Sequence, residues 1–267
     1  AAQEKLEEAV ELGDKEAIAN LKGSIKDLEK KSKVNVGGIS LEDVIKEITN
    51  ENLSENKLEI VQIEQFIQDI NFSLSILPVI DCSGSMNYTR LNKYNISSYK
   101  VATFLTTLIM LKNQNKATKN ILIRFGSDAE LLFDGKGFSV EKRPNPFFTP
   151  SKSNTDKLID KTLTFRKNYK NMINILTPNK GGTDLMSITE LFKATENISD
   201  WINEFPVILI VSDGDFNNAY NPEESIKQFQ KVLNELGWNG IIVIWMITDD
   251  TSTHALMRFN ALKNVIA

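Results

Sequence analysis

An aspartate and two serines alternate directly after an apolar run of the sequence. The run is Leu74–Ile80, and Asp81, Ser83 and Ser85 follow it, with Gly84 between the serines. Because side chains along an extended loop alternate in direction, these three oxygen-bearing groups can all point the same way. Gly84 relaxes the backbone so that the loop can curl. The spacing suits three oxygens that converge on one ligand, whereas a helix-capping turn is the alternative when this segment is considered alone.

Two more polar segments follow the same logic further along the chain. Gly181-Gly182-Thr183-Asp184 is a glycine turn ahead of a helical pattern, and Ser212-Asp213-Gly214-Asp215 comes directly after a strand pattern. In open α/β sheets, ligands bind at the carboxyl ends of the strands, near the point where the strand order reverses. We therefore predict that five side chains meet at one edge of a sheet: Asp81, Ser83, Ser85, Thr183 and Asp213.

The predicted set contains only hydroxyl and carboxylate oxygens, without nitrogen or sulfur. Hard cations prefer such ligands, and Mg²⁺ requires near-octahedral geometry with metal–oxygen distances of about 2.0–2.1 Å while it keeps several waters. The sequence therefore predicts a Mg²⁺ site, with Mn²⁺ and Ca²⁺ as alternatives.

The elements that must position this site are predicted from residue 73 onward. Strands are predicted for five apolar, β-rich runs: Leu74–Ile80, Ile121–Phe125, Glu130–Phe133, Val207–Val211 and Ile241–Ile247. Helices are predicted for four longer patterns: Ser97 or Ser98 to Leu111, Asp156–Ile175, Asp184–Trp201 and Pro222–Leu236. Alternating strands and helices imply parallel pairing through right-handed crossovers, and near-continuously apolar strands indicate a sheet covered on both faces. We predict a doubly wound, mostly parallel α/β sheet with helices on both faces, in a Rossmann-like arrangement.

The N-terminal residues carry a different pattern. Apolar residues recur at three-to-four spacing over residues 1–33, which predicts helix, and the "SLED" segment at Ser40 predicts the start of another short helix. Residues 58–70 fit either a helix or a strand. We therefore predict a helical N-terminal segment, residues 1–70, followed by an α/β domain, residues 71–267.

The composition limits the function classes. With 267 residues, 41% of them apolar, the chain can bury a full core. The net charge is −4, so the chain lacks the overall basic character that favours binding to phosphate backbones or anionic lipid. The longest apolar windows are too short to span a bilayer. Cys82 is the only cysteine, so an intramolecular disulfide is excluded, and its alternate direction in the loop predicts a structural side chain that points toward the core.

The segments "DCSGSM", "GGTD" and "VSDGD" resemble the three metal loops of the von Willebrand factor A (vWA) domain, at its metal-ion-dependent adhesion site. The resemblance covers about residues 71–250 and fills all five expected positions. It implies that the serines and the threonine bind the cation directly, and that the aspartates bind it directly or through water. It also implies one open coordination position for the Asp or Glu of a partner.

The resemblance is nearer to intracellular members than to secreted adhesins. These members include the vWA half of Ro-type RNA-associated proteins and related bacterial or phage proteins. Two departures from the family pattern are expected: a final strand that is abbreviated or absent, and an insertion around residues 136–153.

The resemblance implies a metal-dependent protein–protein interaction module that is not an enzyme and is located in the cytoplasm or in a virion. Aromatic residues on candidate loops would form its rim, with ordinary loop packing as the alternative: Tyr88, Phe147, Phe148, Phe216 and Tyr220. The sequence leaves the oligomeric state open.

Three other functions remain open at this stage. One is an architectural role in a large, for example viral, assembly in which the metal only braces the loops. Another is RNA association of the Ro type. The third is Mg²⁺-dependent phosphoryl transfer around Asp81, Asp213 and Asp215, which lacks an evident general base because the lone histidine, His254, lies outside the three segments.

Overall fold

A computed structural model describes most of the α/β region and a small part of the N-terminal segment. The described residues are 41–49, 64, 67, 68, 70, 74–88, 90–91, 96–113, 120–133, 158–178, 181–195, 197–214, 222–247 and 265–266. The helices predicted over residues 1–33, most of residues 58–70 and the insertion at residues 136–153 lie outside this set.

Among the described residues, six of the eight strands form one sheet. In chain order the strands are β1 (Ile76–Asp81), β2 (Arg90–Leu91), β3 (Ile96–Ser97), β4 (Ile121–Phe125), β5 (Ala129–Phe133), β6 (Val207–Ser212), β7 (Ile241–Met246) and β8 (Val265–Ile266). The sheet has the spatial order β5-β4-β1-β6-β7-β8, while β2 and β3 form a separate antiparallel pair. All neighbours in the sheet are parallel except β4 and β5. The predicted mostly parallel sheet is therefore confirmed.

The strand order reverses between β1 and β6. From β1 the chain goes first to β4 and β5 on one side, and then returns to β6, β7 and β8 on the other. In doubly wound sheets, the crevice at such a reversal is where ligands bind. Val211 of β6 is aligned with Ile80 of β1, so the polar residues that follow them leave the sheet side by side.

Helices cover both faces of the sheet. In chain order they are α1 (Leu41–Thr49), α2 (Ser85–Tyr88), α3 (Ser98–Lys112), α4 (Phe165–Ile175), α5 (Met186–Ala194), α6 (Ser199–Ile202) and α7 (Pro222–Glu235). Buried side chains of α1, α3 and α4 share one hydrophobic cluster, and those of α5, α6 and α7 share another. Alternate residues of β1 divide between the two clusters, with Ile76 and Ile80 in the first and Leu77 and Val79 in the second. This confirms the doubly wound α/β fold.

The amino end of β1 has a side-chain partner where a strand partner is lacking. Pairing of β1 with β6 begins at Ile76, whereas pairing with β4 begins only at Val79, after Pro78. A proline has no N–H to contribute to a ladder. The side-chain amide of Asn113, just after α3, accepts from the N–H of Ile76 at 2.9 Å and donates to its carbonyl oxygen at 2.8 Å. Both backbone groups are thereby satisfied ahead of the β4 ladder.

The described part of the N-terminal segment packs against α3 and α4. Val44, Ile45 and Ile48 of α1 are buried in the cluster that contains α3 and α4. The carboxylate of Glu64 accepts hydrogen bonds from the first two backbone N–H groups of α4, those of Phe165 and Arg166, at 3.0 and 3.1 Å. The boundary predicted between residues 70 and 71 stays a prediction.

Two predicted helices differ from those observed. The helix predicted from Asp156 to Ile175 begins only at Phe165, because residues 158–164 form a turn. Oδ1 of Asp160 accepts from both the N–H and the hydroxyl of Thr162, at 2.9 and 2.6 Å, and this local bonding competes with helix formation.

The helix predicted from Asp184 to Trp201 is two helices, α5 and α6. Thr195 is extended, with φ −86° and ψ 118°, and Asn197 has a φ of 56°. Asparagine is one of the few residues that adopt this left-handed conformation readily, so it breaks an otherwise helical pattern. The other predicted strands and helices lie within about two residues of their predicted bounds, whereas α2, β2 and β3 have no counterpart in the prediction.

Candidate metal centre

The turn after β1 brings its two serine hydroxyls together. The backbone N–H of Ser83 donates to Oδ1 of Asp81 at 2.8 Å, which curls the chain as it leaves the strand. The Oγ atoms of Ser83 and Ser85 lie 2.9 Å apart. The alternation in the sequence thus corresponds to hydroxyls that face the same point.

The turn after β6 contacts those serines. The hydroxyl of Ser85 donates to Oδ1 of Asp213 at 3.3 Å. A serine has one hydroxyl hydrogen, so Ser83 is the donor in the serine pair when this bond is made. The side chains of Ser83, Ser85 and Asp213 therefore form one continuous chain of oxygens across the crevice between β1 and β6.

Ser212, the last residue of β6, connects the turns after β1 and β6 through two further hydrogen bonds. Its hydroxyl donates to Oδ2 of Asp81 at 2.6 Å and accepts from the backbone N–H of Gly214 at 3.1 Å. Ser212 and Asp81 are almost fully buried, at 0% and 1% exposure. Both carboxylate oxygens of Asp81 thus have protein donors.

The glycine turn that carries Thr183 lies against the turn after β1. The backbone N–H of Gly84 donates to the carbonyl oxygen of Gly181 at 3.2 Å. Gly126, after β4, fills the space beside them: a β-carbon added there would lie 3.6 Å from the carbonyl oxygen of Gly182 and 3.8 Å from Cα of Ser83. The three segments therefore pack backbone against backbone.

The residues on either side of Thr183 both donate hydrogen bonds to the β4–β5 turn. The N–H of Gly182 donates to Oγ of Ser127 at 3.1 Å, and the N–H of Asp184 donates to the carbonyl oxygen of Gly126 at 2.9 Å. Thr183 lies between these bonds and is only 3% exposed. The structure thus brings the turns of all five predicted residues to one edge of the sheet.

Asp184 has a structural role at the start of α5. Its Oδ1 accepts from the N–H of Met186 at 2.9 Å, and its carbonyl oxygen accepts from the hydroxyl of Ser187 at 2.6 Å. Asp184 therefore closes the start of α5.

Sequence reasoning missed three supporting residues, Gly126, Ser127 and Ser212. Gly126 and Ser127 follow β4 in the sequence "FGSD", which is the same kind of polar turn after an apolar strand as the three that were singled out. Ser212 was noted as part of its segment but was not assigned a contact. Its role depends on the alignment of β6 with β1.

The electrostatics of the edge are dominated by buried carboxylates. Burial raises the pKa of Asp81 from 3.8 to about 6; the hydrogen bonds from Ser212 and Ser83 oppose this rise, and the charge of Asp213 adds to it. A nearby cation would favour the ionised form of such a group. The residues therefore have an electrostatic reason to attract positive charge.

Cys82 points away from this edge. It is 2% exposed, lies in the cluster with α3 and α4, and has a pKa raised to about 12, mainly by burial. The predicted direction of this side chain toward the core is confirmed.

Tyr88 is the one rim aromatic among the described residues. It ends α2, three residues after Ser85, and its side chain is 81% exposed. The other residues considered for the rim or for chemistry lie outside the described set: Phe147, Phe148, Asp215, Phe216, Tyr220 and His254.

The oxygen spacing fits a small, hard cation. Two adjacent ligands of an octahedral Mg²⁺ with bonds of about 2.1 Å lie roughly 3.0 Å from each other. The separations from Ser83 to Ser85 and from Ser85 to Asp213 are 2.9 and 3.3 Å. Over the described ranges, no group of three or more His, Cys, Asp or Glu side chains is placed to hold a metal ion. The predicted set has only two such side chains, Asp81 and Asp213, and its other three ligands are hydroxyls.

No family model matches this chain, and no curated protein matches it. The fold defines a class, that of doubly wound, mostly parallel α/β proteins, here with polar turns gathered where the strand order reverses. Among the described residues, no helix combines the length and the apolar character that crossing a membrane requires.

Proposed function

We propose that this chain is a vWA-like module for metal-dependent protein–protein interaction, which binds Mg²⁺ and through it a carboxylate of a protein partner. The ligands would be Asp81, Ser83, Ser85, Thr183 and Asp213. The observation that carries the proposal is the chain of oxygens from Ser83 through Ser85 to Asp213, at the reversal of strand order and with separations of 2.9 and 3.3 Å.

The balance of charge in this set favours capture of an external anion. Three of the five groups are neutral hydroxyls, which leave most of the charge of a divalent cation uncompensated. A carboxylate that approaches such a centre gains a charge-assisted interaction in a pocket that is already formed. Tyr88, three residues after Ser85 in α2, is exposed and offers aromatic contact area to a partner.

The hydroxyls of Ser83 and Ser85 are suited to act as neutral metal ligands. Their Oγ atoms lie 2.9 Å apart, and the hydroxyl of Ser85 donates to Oδ1 of Asp213 at 3.3 Å. These bonds hold the ligand oxygens at a fixed separation before a cation binds.

Cation binding is the first test. The full chain, freed of metal with EDTA and dialysed, is titrated with MgCl₂ by calorimetry and by thermal unfolding. At a Mg²⁺ concentration 100 times the dissociation constant, we expect about 2.7 kcal/mol of added stability. Ser83→Ala should abolish this gain, whereas Ser225→Ala, at a buried serine of α7, should keep it. A wild-type chain that shows no gain contradicts the proposal.

Partner capture is the second test. Immobilised wild-type protein is incubated with native lysate in Mg²⁺ or in EDTA, and the experiment is repeated with Ser83→Ala. We expect one specific protein to be lost both in EDTA and with the variant. The same set of bound proteins in all arms, including with Asp81→Ala, would instead favour an architectural role in which the cation only braces the turns.

A further inference from the structure

Asp81 is held on both of its carboxylate oxygens by donors of this chain. Oδ1 accepts the N–H of Ser83 at 2.8 Å, and Oδ2 accepts the hydroxyl of Ser212 at 2.6 Å. The two donors come from different strand ends, so they fix the plane of the carboxylate as well as its position. Ser212 is fully buried, so solvent does not compete for this bond.

Ser212 is itself fixed in orientation. Its only hydroxyl hydrogen goes to Asp81, and its oxygen accepts the backbone N–H of Gly214 at 3.1 Å. Rotation of the hydroxyl would break a short buried bond and leave Asp81 with an unsatisfied oxygen, which is costly inside a protein. The Oδ2 atom of Asp81 is therefore not available to turn toward the chain of oxygens formed by Ser83, Ser85 and Asp213.

This restraint matters differently for different cations. Ca²⁺ takes six to eight oxygens at about 2.3–2.6 Å and commonly uses a carboxylate through both oxygens. Mg²⁺ takes six at about 2.0–2.1 Å, keeps several waters and does not need a bidentate carboxylate. A carboxylate with one oxygen hydrogen-bonded to a serine can still serve as a monodentate ligand of Mg²⁺. It cannot serve as a bidentate ligand of Ca²⁺.

We propose that Ser212 is a specificity-determining residue: by holding Oδ2 of Asp81, it keeps Asp81 from binding a cation through both oxygens and so favours Mg²⁺ over Ca²⁺. This inference rests on the proposed function, since it concerns the same five ligands. A serine that only stabilised the turn after β6 would also bond to Gly214, but its loss would lower the affinity for both cations by the same factor.

The test compares the affinities of the two cations. MgCl₂ and CaCl₂ are titrated separately into the metal-free full chain by calorimetry, for wild type, Ser212→Ala and the control Ser225→Ala. Loss of a residue that orients a metal ligand typically costs 10–100-fold in affinity. We expect Ser212→Ala to lower the affinity for Mg²⁺ by ~10-fold and to leave the affinity for Ca²⁺ unchanged or higher. The ratio of Mg²⁺ affinity to Ca²⁺ affinity should therefore fall by ~10-fold or more. Ser225→Ala should keep the wild-type ratio.

A second variant protects the test against a folding defect. Ser212→Cys keeps nearly the same shape but replaces the hydroxyl with a weak donor, and it should lower the ratio in the same direction. An unchanged ratio in a folded Ser212 variant overturns this inference while the proposed function stands. A wild-type chain that binds neither cation overturns both.

Discussion

The backbone N–H of Gly84 donates a hydrogen bond of 3.2 Å to the carbonyl oxygen of Gly181, although the two glycines belong to turns far apart in the chain. Gly181 also lies against the β4–β5 turn, where an added β-carbon would be 2.4 Å from Oγ of Ser127. The turn that carries Thr183 is thus positioned by its neighbours on two sides.

Gly181→Ala should show how tightly this turn is held. The new β-carbon would push Oγ of Ser127 away and weaken its bond to the N–H of Gly182. We expect a loss of about 1 kcal/mol in the free energy of unfolding, measured in urea, and about 0.5 kcal/mol for Ser127→Ala. Because both changes act on the same Oγ atom, the double variant should lose less than the sum. Strictly additive losses would contradict this.

Asp81 should make the cation-free protein less stable at neutral pH than in mild acid. Its folded pKa of about 6 exceeds the ordinary 3.8, so the folded state holds the proton more tightly. The stabilisation is complete below the ordinary pKa and is lost as the pH rises through about 6, by roughly 3 kcal/mol in all.

Asp81→Asn removes the titrating group, so in EDTA it should flatten this pH dependence, and because its amide keeps only one acceptor for the two donors Ser83 and Ser212, it should be less stable than the wild type at pH 4. Urea unfolding at several pH values from 4 to 7 measures both effects. Asp200→Asn, at an exposed aspartate of α6, is the matched control and should keep the wild-type profile. Identical profiles for wild type and Asp81→Asn would count against the assignment.

Gly214 and Gly237 form a natural pair for separating backbone strain from steric contact. Their φ angles are similar, 82° and 75°. A β-carbon at Gly214 would lie 2.1 Å from Cε of Met246, whereas one at Gly237 meets nothing within 4 Å.

We expect Gly237→Ala to cost about 1 kcal/mol and Gly214→Ala about 2–3 kcal/mol, because only the second change also displaces the Met246 side chain. Chemical unfolding of the two single variants measures the difference. Equal losses would show that Met246 moves aside without cost.

Glu64 should link the N-terminal segment to the stability of the whole chain. Its carboxylate accepts from the N–H groups of Phe165 and Arg166, at the positive end of α4. We expect Glu64→Ala to cost about 1–2 kcal/mol and Glu64→Gln roughly half of that, since the amide keeps one acceptor. Glu235→Ala, at an exposed position of α7, should be close to neutral. A Glu64→Ala chain as stable as this control would argue that the cap contributes nothing.

The central strands could be predicted from the sequence because both of their faces are covered. Val207–Val211 and Ile241–Met246 are continuous apolar runs, and Ile121–Phe125 matches its prediction at both ends. The errors lie where a local side-chain bond outweighs helical periodicity. The turn at Asp160 and the left-handed Asn197 each end a pattern that the spacing of apolar residues alone would continue.

The sequence predicts which turns meet at the candidate site, but it does not predict the hydrogen bonds between them. The rule that parallel strands end at one edge brings Asp81 and Asp213 together. It does not give the register, and without the alignment of Ile80 with Val211 the bond from Ser212 to Asp81 is not foreseeable. The β4–β5 turn carries Ser127 and Asp128 after an apolar strand, so its sequence has the same character as the predicted turns. Its contacts with the glycine turn depend on the position of β4 beside β1, which the sequence does not give.

The central position of β1 has a consequence for how the chain is made. Asp81 and Ser212, at the ends of the adjacent strands β1 and β6, are 131 residues apart in the chain. A ribosome needs roughly 7–26 s for that length. During this time β1, which is buried along its whole length in the folded protein, has only its β4 side available for pairing. A free strand edge is a template for association with other chains. Nascent molecules therefore pass through a stage that is prone to aggregation, and slower translation prolongs it.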